Sequence, residues 1–69
     1  MEIRADMVAN VLLLETEVGA HVHAGDTLLV LESMKMEIPV LAEADGEVLE
    51  IRVRPGDVVQ EGDLLVVLG

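Results

Sequence analysis

Read as apolar against polar positions, the chain breaks into short runs separated by glycine, proline and acidic residues. The longest apolar runs are Val11 to Leu14, Leu28 to Leu31 and Leu64 to Leu68. Runs of this length, rich in Val and Leu and bounded by Gly-Asp or Pro-Gly, read as buried strands. Around them the pattern alternates. Leu49, Ile51 and Val53 fall on one parity and Glu50, Arg52 and Arg54 on the other, which predicts a strand with one buried face and one wet face. No stretch carries a helical period. An all-β domain spanning residues 1–69 is expected.

A repeat organises these runs. With Val11–Leu31 set over Val48–Leu68, an offset of 37, nine of the 21 positions are identical: Val11/Val48, Leu12/Leu49, Gly19/Gly56, Val22/Val59, Gly25/Gly62, Asp26/Asp63, Leu28/Leu65, Val30/Val67 and Leu31/Leu68. Internal similarity at a fixed offset marks one supersecondary unit used twice. Each copy reads as a strand, a turn at Gly19 or Gly56, a short strand, a second turn at Gly25-Asp26 or Gly62-Asp63, and a final strand. Two such copies are expected to pack about a pseudo-two-fold axis. Residues 33–36 lie at the joint between them, in a tight hairpin flanked by strands Thr27 to Glu32 and Met36 to Leu41. The counterpart of that joint is the gap between the chain termini, so the hairpin is expected at one end of the molecule and the termini at the other.

Composition narrows the function. There are no aromatic residues, so the core is aliphatic and stacking on nucleic-acid bases is excluded. The 14 acidic and 4 basic side chains give a formal charge of −10, which repels phosphate backbones and anionic membranes. Cysteine is absent, which removes disulfides and thiolate metal sites. No run reaches the ~18 apolar residues of a membrane span, and the start "MEIRAD" lacks the basic and apolar regions of a signal peptide. A cytoplasmic protein, monomeric in isolation and without nucleic-acid or membrane partners, is the expectation.

The joint holds the chemistry. It reads "LESMKMEIP", residues 31–39, and contains the chain's only lysine, Lys35, between Met34 and Met36. Hairpin tips favour Asn, Gly and Asp. Two methionines there give up turn propensity and leave soft, adaptable apolar surface beside water, as suits contact with a partner pocket. A solitary surface lysine ordinarily serves only solubility; its place at the symmetry joint between two methionines points beyond that.

With its surrounding Gly-Asp repeats, "ESMKMEIPV" resembles the biotinyl domain of biotin carboxyl carrier proteins and biotin-dependent carboxylases, over roughly Arg4 to Leu68. The resemblance implies a flattened β-barrel of two four-stranded antiparallel sheets with pseudo-two-fold symmetry. It implies covalent biotin on Lys35, attached by a biotin protein ligase; Met34 and Met36 beside the lysine are expected to be what the ligase reads, and Glu32 and Glu37 flanking the tip to serve ligase recognition or solubility. It also implies service to biotin carboxylase and carboxyltransferase subunits in carboxylation of an acyl-CoA or keto acid, the domain being a carrier with no catalytic residues of its own. Ser33 stands where the family more often has Ala, and Ala9 where the second copy, like the family, has Gly. The family's inserted thumb segment and Pro/Ala-rich linker have no counterpart here, so a free-standing mini-carrier or the excised end of a larger enzyme is expected. The alternatives are a lipoyl carrier, whose hairpins typically read Asp-Lys-Ala, and an unmodified assembly module.

Amide formation at a lysine requires the neutral amine, and an amine of pKa ~10.4 is neutral in only about 4 of 10,000 molecules at pH 7. The ligase must therefore supply deprotonation and positioning. Three other features read as structural. His21 and His23 form a His-x-His without an evident third ligand, so a wet edge strand rather than a metal site is expected. Pro39 lacks an N–H donor and indicates an edge strand. Leu13 stands where the second copy has Glu50, on an expected outward face shared with Val11. It marks either packing under the N-terminal segment or contact with a larger subunit.

Overall fold

The computed structural model describes residues 1–69 as eight strands without a helix: β1 (Glu2–Arg4), β2 (Ala9–Leu14), β3 (His21–Val22), β4 (Thr27–Ser33), β5 (Met36–Leu41), β6 (Gly46–Ile51), β7 (Val58–Val59) and β8 (Leu64–Leu68). Antiparallel pairing sorts them into two four-stranded sheets, ordered β1–β8–β6–β3 and β5–β4–β2–β7. This is the two-sheet flattened barrel that the resemblance implies. Its core is wholly apolar. Ile3, Val48, Leu65, Val66 and Leu68 come from one sheet and Val11, Leu28, Leu29 and Leu31 from the other, all at most 3% exposed. Full burial of each such side chain stabilises the fold by about 1.5–3 kcal/mol.

The offset of 37 recurs in the hydrogen bonds. Gly19 N donates to Val48 O and Gly56 N to Val11 O, both at 2.8 Å. Gly25 N donates to Ala42 O at 2.9 Å and Gly62 N to Ala5 O at 2.8 Å. The four turn glycines have φ between 90° and 96°, the left-handed region in which a Cβ is strained. In the second turn of each copy an Asp carboxylate accepts from the backbone three residues earlier: His23 N to Asp26 Oδ2 and Gln60 N to Asp63 Oδ2, both 2.8 Å. Strands β4 and β5 correspond to β8 and β1, which pair in the other sheet although no turn joins them. The chain ends meet there, with Leu68 N donating to Met1 O at 2.8 Å. The pseudo-two-fold thus carries the β4–β5 hairpin onto the paired termini.

The ladders are interrupted by four bulges, and these also follow the repeat. Leu12 is the extra residue of β2 opposite β4, and Leu49 that of β6 opposite β8. Leu28 is extra in β4 opposite β5, and Leu65 in β8 opposite β1. An extra residue resets side-chain parity, and two sequence expectations change accordingly. Leu49 does not share a buried face with Ile51 and Val53: it is 48% exposed, while the neighbouring Val48 is fully buried. Likewise Val11 does not share the outward face of Leu13, being 2% exposed against 37%. Strict alternation fails at both places because the bulge inverts the count between them. The bulges at Leu28 and Leu65 turn two consecutive side chains inward, burying Leu28 with Leu29 and Leu65 with Val66.

Candidate functional site

Strands β4 and β5 form a regular ladder up to the pair Ser33–Met36, leaving only Met34 and Lys35 in the loop. A two-residue connection that follows the right-handed twist of its strands is a type I′ turn, with positive φ at both loop residues, or a type II′ turn, with positive φ at the first; here it is type I′. Met34 has φ 53° and Lys35 φ 64°, and they are the only non-glycine residues of the chain in that region. Asn-Gly would occupy these positions without strain. For Met and Lys, the left-handed conformation brings Cβ against the following carbonyl and costs roughly 1–2 kcal/mol per residue. Strain of this kind is held where the surrounding structure over-determines it, and it clusters at functional positions.

The electrostatics add to the strain. Glu32 and Glu37 are directly opposed one step below the closing pair, and like charges so placed destabilise a hairpin. Lys35 is exposed and makes no ion pair or hydrogen bond. The ion pairs of the arginines lie in the other sheet, Arg4 with Glu2 at 2.6 Å and Arg52 with Glu50 at 3.2 Å. Met34 is 88% exposed and Met36 61% exposed. The tip therefore offers one unpaired primary amine between two solvent-facing thioethers, above two carboxylates, on a loop too short to wander.

The structure brings Glu32, Met34, Lys35 and Met36 together at this tip. The positive φ at Met34 and Lys35 was not legible in residue types, which favour other conformations. The Glu32–Glu37 opposition would have followed from the sequence once the loop was known to hold two residues. Pro39 lies on β5, an edge strand. His21 is exposed on β3, also an edge, whereas His23 lies beyond that strand, its Nδ1 3.8 Å from Asp26 Oδ2. His21 and His23 flank the buried Val22, and only the first belongs to the strand; no three His, Asp or Glu side chains converge on one point.

Known proteins share both the sequence and this architecture. The chain is 49% identical over 67 residues to a protein of Mycobacterium leprae named "Biotinylated protein TB7.3 homolog", covering 97% of this chain and 94% of that one. It superposes on a segment of the urea carboxylase of Kluyveromyces lactis with a TM-score of 0.94 and 33% identity, covering all of this chain and 6% of that enzyme. It superposes on the lipoyl domain of the 2-oxoglutarate dehydrogenase complex of Azotobacter vinelandii with a TM-score of 0.80 and 29% identity, covering 97% and 95% of the two chains. The family model described as "Biotin-requiring enzyme" matches residues 2–68. Shared sequence over nearly the whole chain, on a fold common to both kinds of attachment domain, makes this protein a member of the biotin/lipoyl family, a carrier domain homologous to those of carboxylases.

Proposed function

We propose that Lys35 is the attachment residue and that biotin is its cargo, joined through an amide at Nζ by a biotin protein ligase. The observation that carries this reading is the two-residue Met34–Lys35 turn, which holds the chain's only lysine in a strained conformation with no partner for its amine. Nothing around Nζ competes for it, and nothing there accepts its proton, so the ligase supplies the base and this domain supplies the presentation. Forming the amide removes one positive charge, and the formal charge goes from −10 to −11. Attached biotin supplies a site that takes up and releases a carboxyl group. The protein's part is to hold that group on a tether that raises its effective concentration at the biotin carboxylase and carboxyltransferase centres it visits. Glu32, Met34 and Met36 are proposed as the residues the ligase reads.

A lipoyl carrier is the second reading, favoured by the superposition on a lipoyl domain. Met34 and Met36 oppose it, because lipoyl hairpins typically carry Asp and Ala there. The deciding experiment is the intact mass of the domain coexpressed with a biotin protein ligase and biotin, in parallel with a lipoate ligase and lipoate, followed by peptide mapping. One biotin increment on Lys35, absent from Lys35→Gly, is the expected result. A lipoyl increment alone assigns the second reading, and an unmodified chain beside a fully labelled control carrier assigns an assembly role. The double change Met34→Asp, Met36→Ala is expected to move acceptance from biotin toward lipoate; unchanged acceptance of biotin would show that the methionines are not what is read.

A further inference from the structure

The pseudo-two-fold supplies an internal control for each surface position that has a counterpart 37 residues away. In the sheet β1–β8–β6–β3, Glu2 and Glu50 flank Val67 in one cross-strand row. Each of these glutamates is paired to an arginine, Arg4 or Arg52. The equivalent row of the other sheet, 37 residues away, reads Pro39–Val30–Leu13. The same backbone geometry thus carries a charged row on one face and an apolar row on the other. Leu41, 45% exposed, extends the apolar row where its counterpart is Arg4. An ordinary wet face tolerates charge at these positions, as the sister sheet demonstrates; a face selected for contact keeps them apolar. The row lies two residues along β4 and β5 from Glu32 and Glu37, a distance of about 7 Å, on the sheet that ends in the Lys35 turn.

We propose that this face is the docking surface for the biotin protein ligase, and that the ligase meets it with an apolar strip bordered by Lys or Arg side chains. The inference rests on biotin attachment at Lys35 as proposed above. Charge selects the occupant. The apolar row is bordered by Glu32 and Glu37, and all three arginines lie outside strands β2, β4, β5 and β7. A second copy of the chain, itself at −10, would bring carboxylates against carboxylates, whereas a basic rim complements them. Chemistry selects the ligase among basic partners. An enzyme that acts on attached biotin can recognise biotin itself. The ligase meets a lysine amine identical to every other in the cell, so its discrimination must come from the protein surface beside it.

The test is ligase kinetics with the carrier as varied substrate. Leu13→Glu/Pro39→Glu writes the row of the sister sheet onto this one, and Leu13→Thr/Pro39→Thr removes apolar surface with β-compatible side chains and no added charge. Folding of each is checked by far-ultraviolet circular dichroism and melting. Either folded variant is expected to raise KM about tenfold or more, equivalent to about 1.4 kcal/mol, with kcat within about twofold. Glu2→Ala/Glu50→Ala, on the opposite face, leaves KM unchanged. Wild-type KM is expected to rise with added salt, as rim ion pairs are screened. Unchanged KM in the folded variants, with the wild type still labelled at Lys35, overturns the docking surface and leaves the attachment reading standing; an unlabelled wild type overturns both. A wild-type dimer in sedimentation that the variants dissociate, with KM unchanged, gives the face to a second copy and also overturns the proposal.

Discussion

Replacing Met34 with asparagine is expected to stabilise this domain. At φ 53° Met34 sits in the left-handed region, where asparagine is several-fold enriched over ordinary residues. A fivefold preference corresponds to about 1 kcal/mol at 25 °C, RT being about 0.6 kcal/mol. Little opposes this gain. The Met34 side chain is 88% exposed, so removing it forfeits almost no buried apolar surface, and asparagine lacks the extra unfolded-chain freedom that glycine would bring. The net expectation is a gain of about 0.5–1 kcal/mol, which for a domain of this size raises Tm by about 3–6 °C. A thermal melt of the unmodified variant beside the wild type reads it directly. An equal or lower Tm would refute the reasoning, showing either that the turn holds Met34 without strain or that its thioether makes contacts the exposure conceals. The same variant removes one of the two methionines proposed for ligase recognition, so stability and biotin acceptance are expected to move in opposite directions.

Three further outcomes follow from the packing. Val48→Ser at a fully buried position is expected to cost several kcal/mol, enough to unfold much of a domain whose total stability is roughly 3–10 kcal/mol; Leu49→Ser, one residue along at the bulge and 48% exposed, is expected to cost under about 1 kcal/mol, and urea titration would show the reverse order if the bulge were wrongly placed. Asp26→Ala and Asp63→Ala each remove a carboxylate that accepts from a turn N–H at 2.8 Å; each is expected to cost about 1 kcal/mol and the pair to add, measured by the same titration. Gly46→Ala would set a Cβ 2.5 Å from the Gly69 carbonyl oxygen, which accepts from Glu47 N at 2.9 Å, so its Tm is expected to fall by several degrees; an unchanged Tm would mean that Gly69 moves aside freely.

Much of this architecture was readable without coordinates, because the informative signals are local or periodic. Gly19, Gly25, Gly56 and Gly62 announce turns that a Cβ would strain, and their spacing discloses a unit used twice. Pro39 announces an edge strand by the donor it lacks. Lys35 stands out by position and neighbours alone. What failed was parity. Alternation puts Leu49 and Val11 on the wrong faces, because it holds only along an uninterrupted ladder. Whether a strand carries one extra residue depends on the strand it pairs with, which for β2 and β6 lies about 20 residues further along the chain.

The class of fold, the repeat, the place of the hairpin and the lysine that distinguishes it are all legible in the residues, since each is written in spacing and in the steric limits of single side chains. Two features are visible in the folded chain alone: that β4 and β5 close on a two-residue loop, which holds Met34 and Lys35 at positive φ and sets Glu32 opposite Glu37, and that Leu13, Val30 and Pro39 form one apolar row where the sister sheet has a charged one. The first depends on the length of the hairpin loop, which fixes the register of β4 on β5; the second depends also on the register of β2 on β4, strands distant in the chain, which is settled by how the two sheets share one core.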